Sequence, residues 1–317
     1  MKVVVALGGN ALLERGEPAD ADIQESHVAR AAAALGPVLR QHDLVITHGN
    51  GPQVGMLAVE SAGDPALTHP YPFDVLDAQT QGMIGYWLVQ ALDGVAGKRA
   101  ACLLCRTLVK ADDPAFSHPA KFVGQVYDEA TARRLAAEHG WQVRPDGAAW
   151  RRVVPSPEPA EILELDTIKL LSGCGVTVIC AGGGGIPVVP GAGGGGIPVV
   201  PGCGDQFRGV EAVVDKDLTA ALLAEAVGAD ALLLLTDVEA VQEGYGTTHP
   251  RPLRQVTPGE LRAHSFPAGS MGPKVEAACR FAELTGGFAA IGRLDDATAL
   301  LSGAAGTIVQ DAWSGRR

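Results

Sequence analysis

Short runs rich in Val, Ile, Leu and Ala alternate along this chain with longer segments whose apolar positions recur at helical spacing. The runs Lys2–Leu7, Leu44–Thr47, Ala100–Val109, Val176–Cys180, Ala231–Leu235 and Phe288–Gly292 are apolar at nearly every position, as expected of strands covered on both faces. Between them, Glu25–Leu39, Val75–Leu92, Ala160–Leu171, Leu218–Val227 and Pro273–Leu284 read as amphipathic or alanine-rich helices. Strands separated by helices predict an α/β fold around a mainly parallel sheet with helices on both sides. Two helix starts are marked: Asp217 as a cap ahead of Leu218, and Pro273 at a first helical position. Gly228 and the pair Gly286-Gly287 mark the corresponding ends.

The stretch 111–159 breaks this rhythm. It carries Asp112-Asp113-Pro114, two tryptophans, a short helical segment near Asp128–Glu138, and prolines at 155, 157 and 159. It reads as a small subdomain inserted into a single domain spanning 1–317, and an excursion of this kind in an α/β enzyme is often a lid. Residues 181–191 read AGGGGIPVVPG, and residues 192–202 repeat it without change. The first copy is expected to continue the strand from Cys180 and line the site, and the second to loop out.

Composition narrows the function. The 317 residues are 47% hydrophobic, yet no apolar run approaches the ~18 residues of a membrane helix. The apolar start ends at once in Gly8-Gly9-Asn10, which favours a first buried strand over a signal peptide, and a cytoplasmic location is expected. A net charge of −11 argues against tracking a nucleic-acid backbone and requires any phosphate site to be built locally. Six cysteines include Cys102 and Cys105 within one predicted strand, where they would face opposite sides and could not easily share a metal. Buried thiols are the plainer expectation, and no metal ligands are assigned.

Three predicted strands end in glycine turns: Gly8-Gly9-Asn10, His48-Gly49-Asn50-Gly51 and Gly182 to Gly185. Carboxyl ends of parallel strands form the ligand crevice of α/β sheets, and glycine turns there offer backbone N–H groups to anions. Lys216 and Lys274 stand at predicted helix starts, where the helix dipole adds to their charge. Neither a P-loop nor the protein-kinase motif set is present. His48 in the second turn reads as structural.

The segments ALGGNALL (6–13), THGNGPQVG (47–55), AQTQGMIGYWL (78–88), DDPAF (112–116), RRVVPSP (151–157), GVEAVVDKDL (209–218), LLTDV (234–238) and GSMGPKVEAA (269–278) occur in order over nearly the whole chain. Together they resemble the amino acid kinase family, and within it the branch that phosphorylates carbamate. The resemblance implies a three-layer αβα sandwich with a protruding lid, in a homodimer. It implies reversible transfer between ATP and carbamate giving ADP and carbamoyl phosphate, with Mg²⁺ carried on the nucleotide phosphates, and use for ATP formation in arginine breakdown. It further implies Lys216 and Lys274 bridging the phosphates, Asp217 orienting them, and Lys121 reaching in from the lid. Gly8, Gly9 and Asn10 would face the transferring phosphoryl group, and Gly183 and Gly184 would also bind substrate or phosphate. Gly49, Asn50 and Gly51 would face the acceptor, and Thr236, Asp237, Val238 and Met271 the nucleotide. Two alternatives stay open: a binding protein impaired by the duplication, and a kinase of another small acid.

Overall fold

The computed structural model describes residues 1–14, 16–191, 207–245, 247, 249–266 and 271–311, with Asn10 described by its backbone alone. Eight of the described strands form the central sheet: β1 (Lys2–Leu7), β2 (Asp43–His48), β3 (Ala100–Cys102), β9 (Thr177–Ile179), β12 (Ala231–Thr236), β15 (Gln255–Val256), β16 (Phe288–Arg293) and β17 (Thr307–Val309). Their order is β15-β17-β16-β12-β1-β2-β9-β3. Every pairing in it is parallel except β16 with β17.

The apolar run of β1 explains why it sits in the middle. Val4 and Ala6 enter one buried cluster, and Val3, Val5 and Leu7 enter the other. A strand covered on both faces has no polar side to expose, and each fully buried aliphatic side chain contributes about 1.5–3 kcal/mol. The first cluster is completed by α5 (Leu165–Gly173), α6 (Lys216–Ala226) and α8 (Met271–Thr285). The second is completed by α1 (Ala21–Gln41), α3 (Phe73–Leu92) and α9 (Ala297–Leu301). The result is an αβα sandwich around a largely parallel sheet. No described helix is long and apolar enough to cross a membrane.

Four local expectations are corrected. The run Ala100–Val109 is two strands in different sheets, because Gln81 on α3 clamps Cys105: its Nε2 donates to Cys105 O (3.1 Å) and its Oε1 accepts from Cys105 N (2.9 Å). The chain leaves the central sheet there, and β4 (Arg106–Leu108) pairs with β10 (Ile186–Pro190). Cys105 therefore lies between strands rather than on the face opposite Cys102. Ala160–Leu171 begins as a strand: β8 (Glu161–Ile162) joins β4 before α5 starts at Leu165. The helix α2 (Gly51–Gly63) follows the second glycine turn directly, and its Gly-Pro opening hides it from a periodicity reading. Finally, the first glycine-rich copy does not prolong the strand from Cys180. Ala181, Gly183, Gly184 and Gly185 have φ of 49°, 68°, 99° and 86°, so the chain turns away and enters the second sheet, β11-β10-β4-β8, with β11 at Phe207–Gly209. The second copy, 192–202, lies outside the described residues.

Within 111–159, β5 (Lys121–Tyr127), β6 (Gln142–Asp146) and β7 (Ala149–Val154) form a three-stranded antiparallel sheet with α4 (Glu129–His139) against it. This small sheet rests on α2 through two glycines, where a Cβ on Gly55 would lie 2.0 Å from Gly124 Cα. Arg152 adds a second fixing point, its guanidinium 4.6 Å from the Phe73 ring centroid of α3 and 4.5 Å from that of Trp141. Together these contacts aim Lys121 across the carboxyl ends of β1 and β2. Elsewhere β13 (Gln242–Glu243) pairs antiparallel with β14 (Arg251–Pro252), and the helix α7 (Pro258–Arg262) packs against α8.

Candidate active site

Leu7 lies level with His48 on one side and Leu235 on the other, so β1, β2 and β12 end together. The glycine turns leaving β1, β2 and β9 converge at that end on a cavity of ≈ 200 Å³ lined by Gly9, Gly49, Asn50, Gly51 and Gly183. Not every turn amide faces it. Gly8 N donates to Leu235 O (3.0 Å) and Gly49 N to Leu7 O (2.9 Å), which ties the strand ends together. Gly9 and Gly51 open helical turns, and leading amides of such turns have no acceptor in their own turn. The close fit requires glycine: a Cβ on Gly183 would lie 2.2 Å from Asn50 Nδ2, and one on Gly182 would lie 2.3 Å from the His48 ring. His48 is buried, and its Nδ1 bonds Gly49 O (3.0 Å). Burial chiefly holds its pKa down, to about 4, with the Lys216 charge adding to it against the Gly49 hydrogen bond.

The opposite wall is charged. The helix α6 is capped by Asp215 rather than Asp217: Asp215 Oδ1 accepts from Asp217 N (2.9 Å) and Leu218 N (3.4 Å). Lys216 and Asp217 therefore occupy the first helical turn, and Pro273 stands in the first described turn of α8, which runs from Met271. Asp217 is held between two ammonium groups, with Lys216 Nζ 2.5 Å from Oδ1 and Lys274 Nζ 3.1 Å from Oδ2. From the small sheet, Lys121 Nζ reaches Asp215 Oδ2 at 2.5 Å. Burial opposes the Asp217 carboxylate, but the two lysines outweigh it and hold its pKa well below the usual carboxylate range. Burial also opposes the Lys274 ammonium, yet Asp217 keeps its pKa above the ordinary lysine value. For Lys216 burial prevails over Asp217, helped by the Lys274 charge, and its pKa is lowered.

The structure thus brings Gly9, Gly49, Asn50, Gly51, Lys121, Gly183, Lys216, Asp217 and Lys274 to one cavity. Gly8 and Gly184 stand behind it, and the Gly184 carbonyl accepts from Thr107 Oγ1 (2.8 Å) and Thr219 Oγ1 (3.0 Å). The Asn10 side chain lies outside the described residues. Thr236, Asp237 and Val238 lie at and just beyond the end of β12, and Met271 at the start of α8; none lines this cavity, although the Asp237 charge is felt by Lys274. Three participants escaped the sequence reading. Asp215 was legible as the first acid of Val-Val-Asp-Lys-Asp, had the cap been set two residues earlier. Asp77 and Thr80, which hold Asn50, lie inside the long α3; Thr80 falls in the segment AQTQGMIGYWL, but nothing local to either residue marks its role. Among the described residues no group of three or more His, Cys, Asp or Glu is arranged to hold a metal ion.

The sequence pattern of the amino acid kinase family matches residues 1–287. The carbamate kinase of Rhizobium meliloti (strain 1021) is 48% identical over 317 residues, covering 99% of this chain and 94% of that protein. The solved structure of Giardia lamblia carbamate kinase bound to citric acid superposes with a TM-score of 0.88 at 38% identity, over 98% of both chains. The same enzyme bound to AMP-PNP gives a TM-score of 0.85 at 38% identity, again over 98% of both. The converging glycine turns, the lysine–aspartate array and these likenesses lead to one conclusion: the chain belongs to the amino acid kinase family and is a phosphotransferase.

Proposed function

We propose that this enzyme is a carbamate kinase, interconverting ATP plus carbamate with ADP plus carbamoyl phosphate. The observation that carries the proposal is the meeting of Lys121, Lys216 and Lys274 with the glycine turns at one cavity, in a chain whose relatives of 44–48% identity are carbamate kinases. Phosphoryl transfer needs positioning and charge neutralisation more than covalent help. A carbamate oxygen is already anionic, so its attack on the terminal phosphorus requires no general base. The obstacle is the repulsion between two anions, and the three lysines with the leading amides of Gly9, Gly51 and Gly183 counter it.

Asp217 keeps Lys216 and Lys274 on either side of the reacting groups, and Asp215 does the same for Lys121 while capping α6. Gly9 and Gly183 serve the phosphoryl group, and Asn50 and Gly51 the acceptor. The nucleotide extends towards Thr236, Asp237, Val238 and Met271. Both site carboxylates are engaged by lysines, which fits Mg²⁺ arriving on the nucleotide phosphates rather than on a resident ligand set. There the ion would neutralise phosphate charge. The small sheet carrying Lys121 acts as a lid. The family likeness extends the reading to a cytoplasmic homodimer that forms ATP during arginine breakdown.

The test is ATP formation from ADP and carbamoyl phosphate with Mg²⁺, using this chain beside a version lacking 192–202. Activity in both supports the proposal and makes the second copy a tolerated insertion; a longer loop costs only about 0.6 kcal/mol per doubling. Activity in the shortened chain alone makes this protein an impaired carbamate kinase. Inactivity of both overturns the carbamate assignment.

A further inference from the structure

The helix α3 is apolar where it faces the sheet, yet Asp77, Thr80 and Gln81 form a polar stripe on it, each no more than 1% exposed. Gln81 is accounted for by its clamp on Cys105. Asp77 and Thr80 both turn to Asn50, whose Nδ2 donates to Asp77 Oδ1 (2.8 Å) and Thr80 Oγ1 (2.9 Å).

The hydrogen bonds of Nδ2 set the direction of this amide, and the proton that burial favours on Asp77 then sits on Oδ2, which has no partner among the described residues. The Thr80 hydroxyl donates its hydrogen to the Asp77 carbonyl (2.9 Å), so only its lone pairs are left for Asn50. An amide nitrogen carries two hydrogens, and both are committed to α3. No described residue donates to Asn50 Oδ1. Behind the amide stands Gly183, where even a Cβ would come within 2.2 Å of Nδ2 and 2.7 Å of Oδ1, so the group is wedged as well as bonded. The cavity otherwise presents lysine ammonium groups, amide N–H groups, and carboxylates already engaged by those lysines. A neutral acceptor that has no donor among the described residues, in such a place, selects for a ligand that brings an N–H.

We infer that the Asn50 carbonyl reads the amino group of the acceptor, and that Thr80 and Asp77 are positioning residues that keep the amide turned for this purpose. The inference rests on the carbamate reading above and supplies its specificity. Acetate carries a methyl where carbamate carries its amino group, and would leave Asn50 Oδ1 buried and unpaired.

The experiment compares carbamoyl phosphate with acetyl phosphate as phosphoryl donors to ADP, in the full chain with Mg²⁺, for wild type, Thr80→Val and Thr80→Ser. Wild type is expected to prefer carbamoyl phosphate by about tenfold or more in kcat/KM. Thr80→Val releases one Nδ2 hydrogen and should narrow that ratio by about fivefold or more, whereas Thr80→Ser, which restores the hydroxyl, should keep the wild-type ratio. A purely structural Thr80 would slow both donors alike and leave the ratio unmoved, which overturns the inference. Should Thr80→Val fail to fold by circular dichroism, Asp77→Asn takes its place: its own amide can donate to Asn50 and turn it, and an unmoved ratio overturns the inference equally. Equal use of the two donors by wild type overturns this inference alone. Use of neither donor, by this chain and by the version lacking 192–202 alike, overturns the carbamate reading and this inference with it; where only the shortened chain is active, the same variants are compared in it.

Discussion

The two walls of the cavity solve opposite problems with opposite chemistry. On the α6–α8 side, Lys216, Asp217 and Lys274 bury three charges in mutual contact, and Lys121 with Asp215 adds two more. On the β2–α3 side, Asn50, Thr80, Asp77 and His48 are as deeply buried but favour their uncharged forms. Burial raises the Asp77 carboxyl well above the ordinary value, with the Asn50 bond opposing, while it lowers His48. A buried ion array is weak evidence of stabilisation, because desolvation offsets much of the attraction. Its presence is better explained by what it does to an incoming anion. The neutral wall has no such charge to offer, and the hydrogen bonds from Asn50 to Asp77 and Thr80 fix shape and direction. One wall neutralises and the other orients.

The largest effect should come from breaking the charged wall. Lys216→Ala or Lys274→Ala is expected to lower kcat by at least ~10² through loss of charge neutralisation in the transition state. The fold should survive either change, because Asp217 keeps the other lysine as partner. Steady-state kinetics with a thermal melt separates the two outcomes, and a near-normal kcat removes that lysine from the mechanism. A smaller effect is expected where the lid meets the body. Gly55→Ala drives a Cβ into the Gly124 backbone of β5 and must displace the small sheet. Overpacking of this kind costs about 1–3 kcal/mol, and it carries Lys121 away from Asp215, so kcat should fall by about tenfold. Glu60→Ala, an exposed change on the same helix away from the lid contact, should do neither and serves as the control.

The two walls also differed in how far the sequence disclosed them. The strands were legible because β1, β2 and β12 are apolar without interruption, and burial on both faces leaves little other pattern. The lysines were legible because a cation beside a marked helix start is a local feature, although the cap itself was misread by two residues, Asp217 for Asp215. What failed was everything that depends on partners distant in the chain. The run Ala100–Val109 divides because Gln81 on another element holds Cys105. Asn50 is directed by residues 27 and 30 positions away. A lone Asp or Thr inside a long apolar helix has the same local signature whether it is surface-exposed or buried against a site.

The smallest effect on turnover, and the sharpest test of the neutral wall, concerns His48. In the folded chain its pKa lies at about 4, below the ordinary 6.5, so it stays neutral over a range in which the unfolded chain takes up a proton. Stability rises with pH wherever the unfolded state binds more protons. The contribution of a neutral His48 is therefore complete above about pH 6.5, falls away as pH drops towards 4, and levels off below that. A depression of this size corresponds to about 3 kcal/mol across the window. His48→Asn can keep the hydrogen bond to Gly49 without a titrating ring, and should flatten the dependence of unfolding free energy on pH between 6.5 and 4. Urea unfolding at a series of pH values reads this directly. Because the Lys216 charge contributes to the depression, Lys216→Ala should move the foot of the same window upward in pH. That shift would tie the walls together: the cation that neutralises the substrate also helps keep the orienting wall uncharged. A pH profile identical in wild type and His48→Asn would mean that His48 is not what sets the acid limit of the fold.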